Sequence, residues 1–258
     1  MNNETHACPF CRHGSPMLAL EHNEKTETLR KLGEDIVREF GKPKGIAVVS
    51  AHWFTRGTFV NKAAAPEQIY DMYGFPPELY RVRYPVPGSP ELASRVAALT
   101  GAKETEDWGV DHGVWTVLLH LFPQADIPVA TLSTNGLASP EKLYGMGREL
   151  AALRNEGYLL LASGNIVHNL RAIEWDNPKG SPQADRFDAF IRDALTRGDH
   201  ATVLRYAEHP DASYAVPTPD HFLPLLPILG AAEGESPVFF NTVRELGALS
   251  ATGVVYGL

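Results

Sequence analysis

Short apolar, β-branched runs alternate along the chain with longer segments in which apolar residues recur every three or four positions. The short runs predict strands, and the longer segments predict amphipathic helices. The predicted strands cover residues 46–50, 127–133, 158–163, 238–243 and 253–256. The predicted helices cover residues 24–40, 90–100, 140–154 and, roughly, 183–208. This alternation is typical of an α/β fold in which helices flank a central, mostly parallel or mixed sheet.

The ends of the predicted helices carry sequence signals. Ser89-Pro90 and Ser139-Pro140 each place a capping hydroxyl before a proline at the first helical position. Gly41 is a typical stop for the first helix, directly before the first buried strand. No Pro-rich or Gly-rich linker and no repeat divides the sequence, so residues 1–258 are predicted to form a single domain.

Residues 66–90 interrupt this pattern, because they form a long segment rich in aromatic residues and prolines. Such a segment carries too much apolar surface to be a solvated connector. It is either the lid or wall of a pocket or a piece of local core beneath a long loop, and the sequence leaves both readings open.

The composition excludes several classes of partner. The chain has 258 residues, 44% of them hydrophobic, so it has ample material for a buried core. Lys and Arg number 23 against 31 Asp and Glu, and this acidic balance disfavours nucleic acid. No apolar run approaches the roughly 20 residues of a membrane span. With only Cys8 and Cys11 and no leader-like N-terminus, a cytoplasmic location is expected.

Histidines are the main candidates for chemistry. The chain has ten, and five of them occupy turn-like settings beside apolar runs. These five are His13, His52, His112, His168 and His221. His52 follows the predicted strand 46–50, and His168 lies a few residues beyond strand 158–163. Ligands of open α/β sheets bind beyond the carboxyl ends of strands, so these imidazoles are expected to converge, and a metal would explain the convergence.

The other five histidines serve as an internal control. His6, His22, His120, His200 and His209 lie in helical or polar surroundings, where structural roles are expected. Cys8-Pro-Phe-Cys11 has the spacing of a redox or metal-binding pair, but without a second half it is interpreted as two ordinary thiols. Signatures of zincin proteases, P-loop and Rossmann nucleotide-binding proteins and α/β-hydrolases are missing from the sequence.

Six segments occur in a fixed order from residue 13 to the C-terminal third of the chain. They are His13-Gly-Ser-Pro-Met, Val48-Val-Ser-Ala-His52-Trp, Tyr84-Pro-Val-Pro-Gly-Ser-Pro, Asp111-His-Gly-Val-Trp, Ala162-Ser-Gly-Asn-Ile-Val-His168-Asn-Leu-Arg and Pro217-Thr-Pro-Asp-His221-Phe-Leu-Pro-Leu. Together they resemble the DOPA extradiol dioxygenase family, within the class III, LigB-like ring-cleaving dioxygenases. The resemblance implies an enzyme that opens a catechol ring with O₂ at a non-haem Fe(II), with Zn(II) as the metal also seen in bacterial members. The implied partners are a small aromatic diol and O₂, and a homo-oligomer is left open.

The resemblance also implies roles for the five histidines. His13, His52 and His221 match the metal-ligand positions. His168 matches a histidine that acts as acid/base catalyst or as an additional metal ligand, and His112 matches a histidine near the substrate. Neutral imidazoles suit Fe(II) and Zn(II), and three ligands leave coordination positions open.

Further residues are expected around the substrate and behind the ligands. Trp53 and Tyr73, together with His112, are the predicted substrate contacts. Asn165, Asn169 and Asp220 are candidates for orienting imidazoles.

One segment departs from the family's pattern. Family members carry an apolar strand leading into His-Gly-Ser-Pro, whereas this chain has Pro9 and Arg12 in that segment. A proline cannot donate to a strand ladder, so the first strand is in doubt. Arg12 either points to solvent or meets an anionic group of the substrate.

Two other functions use the same histidines. A zinc-dependent hydrolase would attack its substrate with metal-bound hydroxide, and its activity would not depend on oxygen. A non-catalytic relative would bind a small molecule or a peptide in the cleft, and replacing His168 would leave its role intact.

Overall fold

The fold is built on a central sheet that is flanked by helices on both faces. The computed structural model describes residues 5–258. The strands are β1 (Cys8–Cys11), β2 (Ile46–Thr55), β3 (Phe59–Asn61), β4 (Lys103–Thr105), β5 (Val129–Asn135), β6 (Leu159–Ser163), β7 (Val238–Phe240), β8 (Arg244–Glu245), β9 (Leu249–Ser250) and β10 (Gly253–Tyr256). The helices are α1 (Glu24–Phe40), α2 (Pro90–Thr100), α3 (His112–Leu121), α4 (Pro140–Asn155), α5 (Pro182–Thr196), α6 (His200–Leu204), α7 (Ala212–Ala215) and α8 (Leu225–Ala231).

The sheet is mixed, as predicted. Its eight strands follow the order β4-β3-β5-β2-β6-β1-β10-β7. The four neighbours β5, β2, β6 and β1 are mutually parallel, whereas β10 and β7 extend the sheet in antiparallel pairing. Because β2, β6 and β1 are adjacent and parallel, their carboxyl ends lie together at one edge of the sheet.

Each face of the sheet has its own apolar core. Along β2, Ala47 and Val49 belong to the core beneath α2, α4, α5 and α8, whereas Ile46 and Val48 belong to the core beneath α1 and α3. The alternation follows from the two-residue period of a strand. This layered arrangement of helix, sheet and helix confirms the predicted fold class.

Most predicted elements are present, and several boundaries differ. α2 and α4 begin with the predicted caps, since Ser89 and Ser139 each accept a hydrogen bond from the first turn, and α1 is capped by Asn23, which the sequence analysis did not single out. The predicted helix 183–208 is wrong as one element, because α5 ends at Thr196 and Gly198 then takes a positive φ of 66°. That left-handed backbone breaks the helix before α6 begins.

The doubt about the first strand was wrong. β1 exists and lies between β6 and β10. Pro9 is opposite Val255 of antiparallel β10, and the pairing with β6 begins only at the next residue, Phe10. The proline therefore stands at the end of the β1 ladder with β6, where a missing donor is tolerated.

Residues 66–90 combine both readings of that segment. Leu79 and Tyr84 are buried in the core beneath α1 and α3, and the Tyr84 hydroxyl donates to the carbonyl oxygen of Phe122. Asp71, by contrast, reaches the histidine cluster described below. The later part of the segment therefore packs as local core, while its first part contributes a wall of the site.

Candidate metal centre

The carboxyl ends of three neighbouring parallel strands deliver histidines to one place. His13 comes two residues after β1, His52 lies near the end of β2, and His168 lies five residues beyond β6. His112 is the first residue of α3, and His221 ends a short 3₁₀ helix, Pro219–His221. The chain therefore brings five histidines together from five different segments, as the sequence predicted.

A bulge in β2 sets the direction of the His52 side chain. Ser50 pairs with Ser133 and Phe54 pairs with Thr134, so three extra residues of β2 stand opposite a single step of β5. Such a bulge re-aims side chains and is common beside active sites. The prediction that His52 follows the strand is thus wrong in detail, because the strand continues to Thr55 and His52 lies inside its bulge.

Three of the imidazoles form a compact group. The ring centroids of His13 and His52 are 4.5 Å apart, and those of His221 are 5.1 Å from His13 and 5.2 Å from His52. One ring nitrogen from each lies within 4.8 Å of the others. All three side chains are largely buried. Nitrogen atoms at this separation can ligate one cation, with metal–nitrogen distances near ~2.1 Å.

The hydrogen bonds of His13 set its tautomer. Its Nδ1 lies 2.9 Å from the hydroxyl oxygen of Ser163, and that hydroxyl donates its only proton to the carbonyl oxygen of Gly113. Ser163 must therefore accept from His13, which places the proton on Nδ1. The lone pair of Nε2 is then available to a metal. Burial, followed by repulsion from His52 and His221, holds the pKa of His13 well below its usual range, so the imidazole is neutral.

Asp220 orients His221 in the same manner. The Nδ1 of His221 donates to a carboxylate oxygen of Asp220. Burial raises the pKa of Asp220, but the hydrogen bond from His221 outweighs it and holds the pKa well below its usual range. Burial also lowers the pKa of His221 itself. The ring is thus neutral, with Nδ1 occupied and Nε2 free, which is the arrangement of carboxylate–histidine–metal sites.

Asp71 and Asp111 flank His52. Its Nδ1 lies 3.0 Å from Oδ2 of Asp71 and 3.5 Å from Oδ1 of Asp111. Asp111 is held in place by hydrogen bonds from Ser50 and from the indole N–H of Trp108. Burial lowers the pKa of His52, but these two carboxylates outweigh burial and raise it to about 9. A cation at Nε2 would replace that nitrogen's proton while the carboxylates retain the proton on Nδ1.

Asp71 also positions His112. Its Oδ1 accepts hydrogen bonds from the backbone N–H and from Nδ1 of His112, each 2.9 Å long. His52, Asp71 and His112 therefore form a second group of potential metal ligands that shares His52 with the first. The Asp71 carboxylate faces Nδ1 of both rings. Its contact with His112 is a hydrogen bond, and its 3.0 Å approach to Nδ1 of His52 is a charge contact, and both contacts orient the imidazoles. This leaves Nε2 of both rings for other partners.

His168 lies beside the three-histidine group. Its ring stacks on that of His221 at a centroid distance of 3.6 Å and an interplanar angle of 7°. Burial, followed by repulsion from His221, lowers the pKa of His168 to about 2. Its backbone N–H donates to the carbonyl oxygen of Ala215, which fixes the loop after β6. His168 is therefore a neutral base next to the group, and it is not among the three nitrogens that approach one another within 4.8 Å.

The predicted substrate contacts Trp53 and Tyr73 have different surroundings. Trp53 is buried, and its ring stacks on Trp108, with centroids 5.9 Å apart. Because Trp108 donates to Asp111, Trp53 supports the wall behind His52. Tyr73 is 92% exposed, so the structure does not bring it to the histidines. Two residues earlier, Asp71 takes the inward position in this segment.

Of the three residues predicted to orient imidazoles, only Asp220 contacts one. Asn165 donates to the carbonyl oxygen of Ser250, and Asn169 donates to that of Tyr214. Asn169 also caps the turn Leu170–Ala172. These two asparagines hold the loop that carries His168, so the prediction that they bind imidazoles directly is wrong for the described contacts.

Sequence reasoning missed Asp71, Asp111 and Ser163. Asp111 directly precedes His112, at the N-cap position of α3, yet its side chain makes no capping hydrogen bond. The Asp111 carboxylate contacts His52 instead. An acidic residue directly before a candidate histidine is a signal that could have been used, whereas the pairings of Asp71 and Ser163 depend on contacts between distant segments.

The control histidines lie elsewhere and provide a test of folding energetics. Burial lowers the pKa of His6, His120 and His200, so the unfolded chain binds more protons than the folded chain below about pH 6.5. We expect the free energy of unfolding to fall as the pH drops below that value. The variant His120→Gln keeps a donor for the carbonyl oxygen of Leu18 and should show a shallower fall. Urea unfolding of both proteins between pH 5 and 7.5 measures how steeply the free energy of unfolding depends on pH. Identical slopes for the two proteins would show that burial of His120 does not lower its pKa.

Comparisons with known proteins identify the family of this chain. The family model for the catalytic LigB subunit of aromatic ring-opening dioxygenase matches residues 7–256. The chain is 43% identical to the 4,5-DOPA dioxygenase extradiol of Escherichia coli K12, over 96% of this chain and 93% of that protein. It is 38% identical to the protein of the same name from Beta vulgaris, over 86% of this chain and 85% of that protein.

A solved structure shares the fold. The crystal structure of an uncharacterized protein from Escherichia coli K12 superposes with a TM-score of 0.81 and 39% sequence identity, covering 97% of this chain and 99% of that chain. Among residues 5–258, no helix is both long and apolar enough to cross a membrane. The match over nearly the whole sequence, the shared fold and the histidine cluster lead to one conclusion. The chain belongs to the LigB family of aromatic ring-opening dioxygenases.

Proposed function

We propose that this chain opens the ring of a catechol beside one hydroxyl, using O₂ and a non-haem Fe(II) held by His13, His52 and His221. Its family supports ring opening, and the relatives named as extradiol DOPA dioxygenases favour DOPA or a simpler catechol as substrate. The observation that carries the proposal is the convergence of three imidazoles with their nitrogens within 4.8 Å of one another.

The donor set fits a divalent transition metal. Imidazole nitrogens suit Fe(II) and Zn(II), and three protein ligands leave positions for the two oxygens of a catechol and for O₂. When bound, such a metal would supply Lewis acidity toward the diol and electron transfer between the diol and O₂. Ser163 and Asp220 fix the ligand tautomers of His13 and His221 in advance, so little reorganisation is needed on loading.

Three carboxylates offset the charge of the site. The three predicted ligands are imidazoles, which add no negative charge of their own. Asp71, Asp111 and Asp220 each lie against Nδ1 of a histidine ring. A dication would therefore be stabilised by acidic groups at the far side of its ligands, and its open positions would remain free of protein anions.

His168 is the base that this geometry favours. Its lowered pKa keeps the imidazole neutral throughout the physiological range, so a ring nitrogen is unprotonated when the substrate binds, and the negative charge of a bound catecholate would favour protonation of that ring. Stacking on His221 places it beside a predicted ligand without occupying the position of one. His112, with Nδ1 held by Asp71, presents Nε2 as a hydrogen-bonding group for the substrate.

The bridging role of Asp71 leads to a prediction. The variant Asp71→Asn keeps the size of the side chain but loses the charge that holds His52 and His112. We expect both metal affinity and kcat/KM to fall by about 10–100-fold, as for other carboxylates behind metal-bound histidines. A competition titration with a chelator measures the first quantity, and initial rates of ring opening measure the second. Unchanged values of both would show that Asp71 does not position these rings.

Oxygen uptake tests the proposed reaction. Protein loaded anaerobically with Fe(II) should consume one O₂ per catechol opened and form a yellow semialdehyde from L-DOPA or from another catechol in a panel. Protein loaded with Zn(II) should consume none. Ester or amide hydrolysis by the zinc form, with no oxygen uptake by the iron form, would favour the hydrolase. The lack of any reaction across the panel would favour a binding protein.

A further inference from the structure

Arg12 lies in the segment that departs from the family's pattern, directly before the predicted ligand His13. Its side chain is only 8% exposed, so it does not project into solvent. A buried guanidinium requires anionic or hydrogen-bonding partners, and its partners show what else it could bind.

The guanidinium lies flat over Gly14. A Cβ atom built on Gly14 would fall 2.8 Å from Cζ of Arg12 and 3.0 Å from both Nε and Nη2. These near-equal distances place the plane of the guanidinium face-on to the glycine. Gly14 has a φ of 61°, so both its conformation and the space above it require glycine.

One edge of this guanidinium lacks a partner. Nη1 pairs with a carboxylate oxygen of Glu245. Nε is buried, and within the described part of the chain it has no hydrogen-bond partner. Nε and Nη2 together form the edge with which an arginine binds a carboxylate through two parallel hydrogen bonds. Arg12 therefore keeps the Nε donor of this edge unsatisfied while Glu245 occupies its other end.

The backbone places Glu245 on the His168 side of the metal centre. In the β8–β9 ribbon Glu245 pairs with Leu249, and Leu249 in turn forms an antiparallel bridge with His168. Residues directly opposite in antiparallel pairs share a face, so His168, Leu249 and Glu245 form one cross-strand row. Arg12, between His13 and Glu245, therefore borders the cluster next to the proposed base. Its positive charge also contributes to the lowered pKa of His168.

Arg12 shares its acidic partner with a second cation. Glu245 pairs with both Arg12 and Lys25, so two cations share one carboxylate. A second carboxylate, Glu21, lies 3.9 Å from Lys25, so the four side chains together are balanced in charge. The guanidinium of Arg12 is therefore only partly neutralised by Glu245, and its unsatisfied Nε remains a donor for an anion.

We propose that Arg12 binds a carboxylate carried by the side chain of the catechol substrate. The assignment rests on the proposed ring-opening function and narrows it to diols with an anionic tail. The tail would take the free Nε and Nη2 edge of Arg12, while the diol occupies the three-histidine centre. Arg12 then selects the substrate without taking part in ring opening.

Two substrates with the same ring test this assignment. One is 3-(3,4-dihydroxyphenyl)propionate, which carries a carboxylate, and the other is the neutral 4-methylcatechol. We expect the variant Arg12→Gln to raise KM for the propionate by about 10–100-fold, because a bidentate charged contact is lost, and to change KM for 4-methylcatechol less than about threefold. Calorimetric titration of the zinc-loaded protein in the absence of O₂ should show the same selective loss of binding, without any need for turnover.

Matched variants separate binding from folding and from bulk charge. Arg12→Lys keeps the charge but loses the two-donor edge, and we expect it to recover less than half of the lost binding free energy. Lys25→Gln removes a cation from the same Glu245 at the outer side of the pair, and should change either KM less than about twofold. Equal losses for both substrates with Arg12→Gln, or an equal effect of Lys25→Gln, would overturn the assignment.

Failure of the role assigned to Arg12 can be distinguished from failure of the proposed ring-opening function. If the iron-loaded wild type opens neither catechol, the ring-opening proposal fails, whatever Arg12 binds. If the wild type opens both catechols and binds the propionate no more tightly than 4-methylcatechol, ring opening stands and the role of Arg12 is refuted.

Discussion

Replacing His13 with alanine is expected to remove the metal and to lower kcat/KM for a catechol by about a thousandfold or more. His13 is buried, and Ser163 holds its tautomer with Nε2 free, so its loss removes one of the three proposed ligands. A metal at the reacting centre supplies several kcal/mol of stabilisation, and about 4 kcal/mol corresponds to a thousandfold in rate. Metal content by mass spectrometry and initial rates of oxygen uptake provide the two measurements.

The control for this variant is His22→Ala. His22 is one of the histidines outside the cluster and is exposed, so its removal should leave both metal content and rate unchanged. The far-ultraviolet circular dichroism of His13→Ala should match that of the wild type, which would show that the loss is local. A His13→Ala protein that keeps one metal per chain and its activity would contradict the assignment of this ligand.

The second large effect is expected at His168. The variant His168→Gln should retain the metal but lower kcat by about 10²–10⁴-fold, the range for loss of a general base. Because burial and His221 hold the pKa of His168 near 2, the wild-type base is neutral from pH 5 to 9. The deficit should therefore be the same across that range, measured as rate against pH for both proteins.

Metal content decides between the two roles considered for His168. Loss of metal together with activity would make His168 a ligand, whereas retention with a lower kcat makes it the base. His120→Gln is the matched control, since it replaces a buried imidazole with the same amide outside the cluster. That control should keep both the metal and the rate.

Elements with end signals were the ones that the sequence predicted best. Ser89-Pro90 and Ser139-Pro140 begin helices because a capping hydroxyl and a proline fit the first turn in any context. α3 and α8 were missed because they are buried on nearly every side, so they lack the alternation of polar and apolar faces that marks a surface helix. β1 was doubted because a local rule about proline was applied without knowing where its ladder begins.

The residues of the site likewise fall into those with a local sequence signal and those that only the tertiary structure reveals. The five histidines were identified from their turn-like settings beside apolar runs, a family resemblance then implied their roles, and the parallel strands explain why they meet. Asp71 and Ser163 were missed because their partners are distant in sequence, and only the tertiary structure shows that they set the tautomers and orientation of the ligands. Tyr73 was chosen for its aromatic ring, yet the fold turns that ring to solvent and Asp71 inward.

Anomalous X-ray scattering from crystals of the iron-loaded protein, grown without O₂, tests the central claim most directly. The account predicts one iron per chain, with nitrogen atoms of His13, His52 and His221 at about 2.0–2.2 Å and at least two coordination positions not filled by protein. Iron held instead between His52, Asp71 and His112, or bound at no defined place, would contradict it.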